Sequence, residues 1–283
     1  MENQYIQFKK QRELGEIISV TFKFLRENYR ALIKSITQVV APTFILLIAA
    51  LAYYTYTVAG SPLAAMVGDS GEFLISFFIL AVTLLLFYAS LYGTILHYIK
   101  SYIENNGTVD EAEIKTGAQE DLGKLFMVFI ISAVIVFTGL ILFIIPGIYL
   151  MVPLSLVATV LVFNKMSLGD SIFYGFSLIK NHWWTTFFSI VVIWLLVYVI
   201  GLIFQLPLII YTFIKMFTIV QEGSQADPVS YSDWIFILLN VVSSVIQYLL
   251  STIFIIALAF IYFNLNEHKN LTGTYETIDK LGD

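Results

Sequence analysis

The sequence predicts an all-α integral membrane protein: six transmembrane helices, with amphipathic interfacial helices ahead of spans one and five and a looser one ahead of span three. Three observations carry this reading. Five stretches, 35–68, 73–99, 125–164, 181–214 and 234–266, contain no Asp, Glu, Lys or Arg. Each exceeds the roughly 20 apolar residues that cross a hydrocarbon core of about 30 Å. The 125–164 stretch is about twice that length and has Pro146-Gly147 near its middle, where a chain turns, so five stretches give six spans. Composition agrees: 59% of the 283 residues are hydrophobic and 12% charged, about half the charged share of a soluble domain.

Taken in order, the spans are expected at 36–59, 73–98, 125–145, 148–164, 185–206 and 234–263. They form a single membrane domain, 1–283, with an amphipathic segment at 1–35, the six-helix bundle at 36–263 and a polar tail at 264–283. Residues 1–34 hold no continuous apolar run of the signal-peptide kind, so the first span is expected to act as its own uncleaved signal. Ahead of it, Leu14, Ile17, Ile18, Phe22, Leu25, Tyr29 and Leu32 recur at spacings of 3 and 4. This places them on one helix face. The segment reads as a helix in the headgroup region that then turns into the first span; the plainer alternative is a soluble helix packed on other loops.

The pattern recurs before span five. Ser167-Leu168-Gly169-Asp170 has the S-x-x-D form of a helix start, and Ile172, Phe176, Ile179 and Trp183 follow as a stripe. At an offset of 154, Leu14-Gly15-Glu16 meets Leu168-Gly169-Asp170 and Tyr29 meets Trp183. A looser third copy runs from Val109 to Lys124. Between spans five and six, Leu208 to Val220 is open to two readings: a helix on the outer leaflet, or an extension of span five beyond Pro207. The tail is open to two as well, disordered or docking a partner.

Fourteen of the fifteen Lys and Arg residues fall on one side of this layout, and only Lys215 falls on the other. The loop at 60–72 has none. By the positive-inside rule both termini are expected to face the cytoplasm.

Reactive groups are scarce. There is no Cys, and His97, His182 and His268 are far apart in sequence, which argues against thiolate chemistry and a multi-histidine metal centre. No cofactor and no nucleic acid is expected. No G-x-S-x-G, H-E-x-x-H or Walker loop occurs. The acidic group Asp110, Glu111, Glu113, Glu120 and Asp121 lacks EF-hand spacing and reads as a solvated helix face. His97, at the end of span two, reads as an interfacial side chain bonded to a carbonyl. The spans hold no ionised residue, unlike most proton-coupled transporters.

Span six carries Asn240, Ser244, Gln247 and Ser251 at steps of 4, 3 and 4. The candidate binding reading is a polar path or ligand site; the plainer one is hydrogen bonding between helices. Pro146 and Gly147 are the expected structural turn at the outer face. Trp183 and Trp184 are the expected interface anchors, since indole rings favour the headgroup level.

The run IIPGIYLMVPLSLVATVLVF (144–163), followed by SLGDSIFYGFSLIKNHWWTTF (167–187), resembles a family of bacterial six-span proteins. That family is related to the membrane domain attached to some glycerophosphodiester phosphodiesterases. Pro146, Gly147, Ile148, Tyr149, Ser177, Lys180, Trp183 and Phe187 fit its pattern, while Asn164 or Lys165 stands where the pattern has an acidic residue. The segments 12–30 and 272–282 are similar to members from Bacteroidota. The resemblance implies no catalytic residue, because the phosphodiesterase chemistry belongs to a separate soluble domain. Some relatives carry the label of a carotene-cleaving oxygenase, which needs four iron-binding histidines. Similar proteins are often encoded near other membrane proteins and AAA+ ATPases, so a membrane-protein partner is implied alongside membrane lipids. The expected function is a non-enzymatic scaffold or accessory subunit of a membrane complex. The alternative is a channel, facilitator or lipid-handling protein using the span-six stripe.

Overall fold

The structure, a computed structural model, describes residues 5–58, 70–221 and 233–282. Among the described residues the regular structure is nine α-helices: α1 (Leu14–Val58), α2 (Ser70–Glu104), α3 (Glu111–Leu142), α4 (Ile144–Ser155), α5 (Val157–Asn164), α6 (Leu168–Ile179), α7 (Trp183–Gln221), α8 (Trp234–Asn270) and α9 (Thr272–Gly282). Six stretches are long and apolar enough to cross a membrane, with α4 and α5 together making the fourth. The chain has the architecture of a multi-pass membrane protein. The Lys- and Arg-free loop expected at 60–72 lies mostly outside the described residues, as do 222–232.

Helices α1, α2, α7 and α8 are longer than the charge-free stretches they overlap. The 45 residues of α1 amount to about 67 Å at 1.5 Å per residue, over twice a hydrocarbon core. The segment 14–34 is therefore not a separate surface helix that turns into span one; it continues into it. Its buried side is also rotated from the expected stripe. Ile17, Thr21, Phe24 and Leu32 are buried, whereas Phe22 and Leu25 are half-buried and Tyr29 is exposed. Polar side chains are tolerated on the inner face because their bonds close locally. Thr21 Oγ1 donates to Ile17 O at 2.7 Å and Asn28 Nδ2 to Phe24 O at 3.0 Å. The looser copy before span three is likewise the first part of α3, whose start is capped by Asp110 accepting from Ala112 N.

Only the copy before span five is a helix of its own. Ser167 caps α6 by accepting from Asp170 N, as its S-x-x-D form predicts. The helix buries Ser171, Gly175, Leu178 and Ile179, leaving Ile172 and Phe176 half-buried and Phe173 exposed. Of the two readings for 208–220, the structure has the extension: α7 runs unbroken from Trp183 to Gln221 through Pro207. The tail is helical: α8 continues to Asn270, and α9 follows after Leu271 at φ 51°.

Two compact units divide the chain, one of residues 1–41, 88–195 and 252–283, the other of 42–87 and 196–251. The first unit is built on rings. Phe8, fully buried, stacks on Phe260 at 4.3 Å and meets Phe24, Tyr102 and Phe263 edge-on. The residues before α1 are held there by Ile6 N donating to Tyr102 Oη at 3.0 Å and Arg12 N to Asn264 Oδ1 at 2.8 Å. The second unit centres on Phe87, with Phe44 at 5.5 Å and Tyr248 at 5.7 Å. In that unit Asp233 caps α8, accepting from Phe236 N at 2.9 Å and pairing with Lys215 Nζ at 2.6 Å. Tyr211 donates to the same carboxylate. Desolvation opposes ionisation of Asp233, yet these three donors outweigh it and hold its pKa down at about 2.

Candidate functional site

A cavity of about 530 Å³ opens in the first unit. His97 and Lys100 reach it from α2, Glu113, Glu120, Asp121 and Lys124 from α3, and Lys165 from the end of α5. His97 is only 8% exposed. With Nε2 carrying the hydrogen, it donates to Asp121 Oδ2 at 3.1 Å, while Lys124 Nζ donates to Asp121 Oδ1 at 2.9 Å. The other side of the ring lies on Gly117, where a Cβ would come within 2.3 Å of His97 Nδ1. Only glycine lets α3 approach that ring so closely. One ring nitrogen is bonded and the other covered, so the ring is positioned by its neighbours rather than poised over a nucleophile.

The remaining lining charges divide by engagement. Ser101 Oγ donates to Glu113 Oε2 at 2.9 Å. Lys100, Glu120 and Lys165 make no ion pair among the described residues. Lys165 caps α5 in the left-handed region at φ 52°, ψ 37°, a conformation that glycine adopts more readily than lysine. The carbonyl partner expected for His97 is thus a carboxylate. Nothing local announces it, because Asp121 lies 24 positions away. The acidic group is dispersed: Asp110 caps α3, Glu111 pairs with Lys34 at 2.6 Å, and Asp121 faces His97. Among the described residues no three His, Asp or Glu converge to hold a metal ion. His182 and His268, far apart in sequence, do stack at 4.9 Å.

The span-six stripe lies in the second unit. Asn240 Oδ1 accepts from Thr55 Oγ1 at 3.5 Å. The Gln247 amide rests on Gly201, and its buried Oε1 has no hydrogen-bond partner among the described residues. Ser251 donates to Tyr248 O within its own helix, and Ser244 is half-buried. Asn240 and Gln247 therefore meet neighbouring helices, and the four do not converge on one point.

The turn between spans three and four is not at Pro146-Gly147. It is the single extended residue Phe143, whose N–H donates to Gly139 O at 2.9 Å. Pro146 sits in the first turn of α4, where a missing N–H costs nothing. Gly147 N donates to Phe143 O at 3.2 Å. Its bare Cα faces Gly139, where an added Cβ would come within 3.1 Å, so these residues shape the hairpin by close approach. Trp183 and Trp184 open α7, and Trp184 is exposed. Pro153 cannot donate to Tyr149 O, and Trp183 Nε1 donates there instead at 3.2 Å.

No family model, curated protein or solved structure matches the chain.

Proposed function

We propose that the chain is a non-enzymatic accessory or scaffold subunit of a membrane protein complex in the bacterial inner membrane, with both termini in the cytoplasm. The orientation rests on charge: fourteen of fifteen Lys and Arg residues belong to the unit that contains both ends of the chain, and Lys215 is the exception. The partner reading rests chiefly on α9. One side of this helix is fastened to the segment before α1 through the Lys9–Glu276 ion pair. Its first turn is fastened by Gly273 N donating to the buried Glu267 carboxylate at 2.7 Å. The other side presents Tyr275 and Ile278 at 61% and 57% exposure. Those positions are one helix face. A rigidly mounted apolar face outside the charge-free stretches suits an amphipathic groove or helix on a second membrane protein, as does the implied association with an AAA+ ATPase system.

Purification in mild detergent should recover stoichiometric partners with the wild type. Tyr275→Glu with Ile278→Glu should lose them without lowering folded yield. A clean monomer or homodimer from the wild type would overturn the reading. The facilitator alternative would rest on the span-six stripe, but the contacts of Asn240 with Thr55 and of Gln247 with Gly201 favour a packing role.

A further inference from the structure

We infer that the α3–α4 hairpin does not cross the bilayer but inserts its apolar tip shallowly into one leaflet, the one beside the polar end of α8. The surface it offers is for lipid acyl chains. From Gly139 to Ile148 no side chain carries a hydrogen-bonding group. Ile141, Leu142, Phe143, Ile144 and Ile145 are each at least 65% exposed. A tip emerging into water on the far side would leave this patch bare, whereas contiguous apolar patches mark membrane contacts. The turn residue brings no open backbone group with it: Phe143 N donates to Gly139 O, and Phe143 O accepts from Gly147 N.

The arms of the hairpin are long and apolar enough to cross, so depth decides, and contacts within the first unit set it. The last turns of α8 hold Asn264, Asn266, Glu267, His268, Lys269 and Asn270, and thus lie at or beyond headgroup depth. Tyr262, before them, donates to Asn164 at the end of α5. The second half of α6 is fastened farther out. Asn270 Nδ2 donates to Tyr174 Oη at 2.8 Å, Lys269 donates to Ser177, and His268 stacks on His182. Helix α6 therefore carries the chain toward the headgroups, not back through the core. It sets Trp183 on Tyr149 with ring centroids 5.2 Å apart. Only Ile144 to Ile148 separate Tyr149 from Phe143, about 9 Å of helix at 1.5 Å per residue. A hydrocarbon core is about 30 Å thick. Ile145 itself lines a groove of about 550 Å³ with Lys180 and Asn181. An apolar tip with Trp, Tyr and Lys at its side is the pattern of a segment at the acyl boundary, about 5–10 Å deep.

The test exploits the absence of Cys from the chain. Gly71→Cys, Glu120→Cys and Ile144→Cys are made singly in the full chain, with Ile145→Cys as a second tip position. A membrane-impermeant maleimide is applied to each face of sealed membranes. Gly71→Cys and Glu120→Cys should label from opposite faces. Both tip variants should label at least tenfold more slowly than these from either face, until detergent dissolves the membrane. In vesicles of phosphatidylethanolamine and phosphatidylglycerol, a bimane at either tip position should be quenched by brominated lipid. Bromine near the headgroup should quench it more than bromine near the chain end. Tip labelling from the Gly71 face would show a crossing hairpin, and from the Glu120 face a tip in water. An unlabelled tip that brominated lipid does not quench would be covered by protein, such as a second copy. Each of these three results would overturn the inference.

Discussion

At the scale of single residues, two glycines on α3 give opposite expectations. Alanine is favoured over glycine in a helix by about 1 kcal/mol. At Gly123 an added Cβ meets nothing within 4 Å, so Gly123→Ala should stabilise by up to about that amount. At Gly117 the same Cβ would press into the His97 ring, and overpacking costs about 1–3 kcal/mol. Gly117→Ala should therefore destabilise by about 1 kcal/mol net, seen as a lower melting temperature in detergent while Gly123→Ala rises. Equal shifts would mean that His97 moves aside without cost. The sequence marks both positions only as glycine, and the difference lies in a ring contributed by another helix. For the same reason the His97–Asp121 pair could not be read in advance, although the lysines bordering the charge-free stretches could.

At the scale of elements, the closure between α7 and α8 should respond to acid. The Asp233 carboxyl is held down at about 2, against about 3.9 for an unperturbed aspartate. A depressed carboxyl contributes stability that is present above the unfolded value and lost as pH falls through the folded one. Amide exchange at the start of α8 should thus quicken between about pH 4 and 2. Asp233→Asn keeps a capping side chain but removes the charge facing Lys215, and it should show no such step. Helix starts were legible where capping is local, as at Ser167. Helix continuity was not. A change from charged to apolar composition near residue 35 resembles a break, yet no glycine or proline stops α1 there, and the backbone bonds continue to Val58. Likewise Pro146-Gly147 resembles a turn, but proline is equally at home in a first helical turn, and the chain reverses at Phe143 instead.

At the scale of the molecule, orientation is the prediction on which the proposed function depends. A reporter fused after Gly71 should lie outside the cytoplasm and one at the carboxyl end inside it. The same compartment for both would contradict the charge asymmetry. The number of apolar stretches was legible because lipid imposes it on composition. The division into two compact units was not legible, since composition reads as one membrane domain and the spread of Lys and Arg speaks only to orientation. The ring cluster that unites residues 5–12 with α2 and α8 leaves no local trace, since Phe8 and Phe260 are separated by most of the chain.

That cluster bears on the order of biogenesis. The segment holding Ile6, Phe8 and Arg12 leaves the ribosome well before its socket, which is walled by Phe260, Phe263 and Asn264. Aromatic side chains suited to a dry interior must wait, shielded by a chaperone or the bilayer, until span six has been delivered. Only then can the two segments lock together.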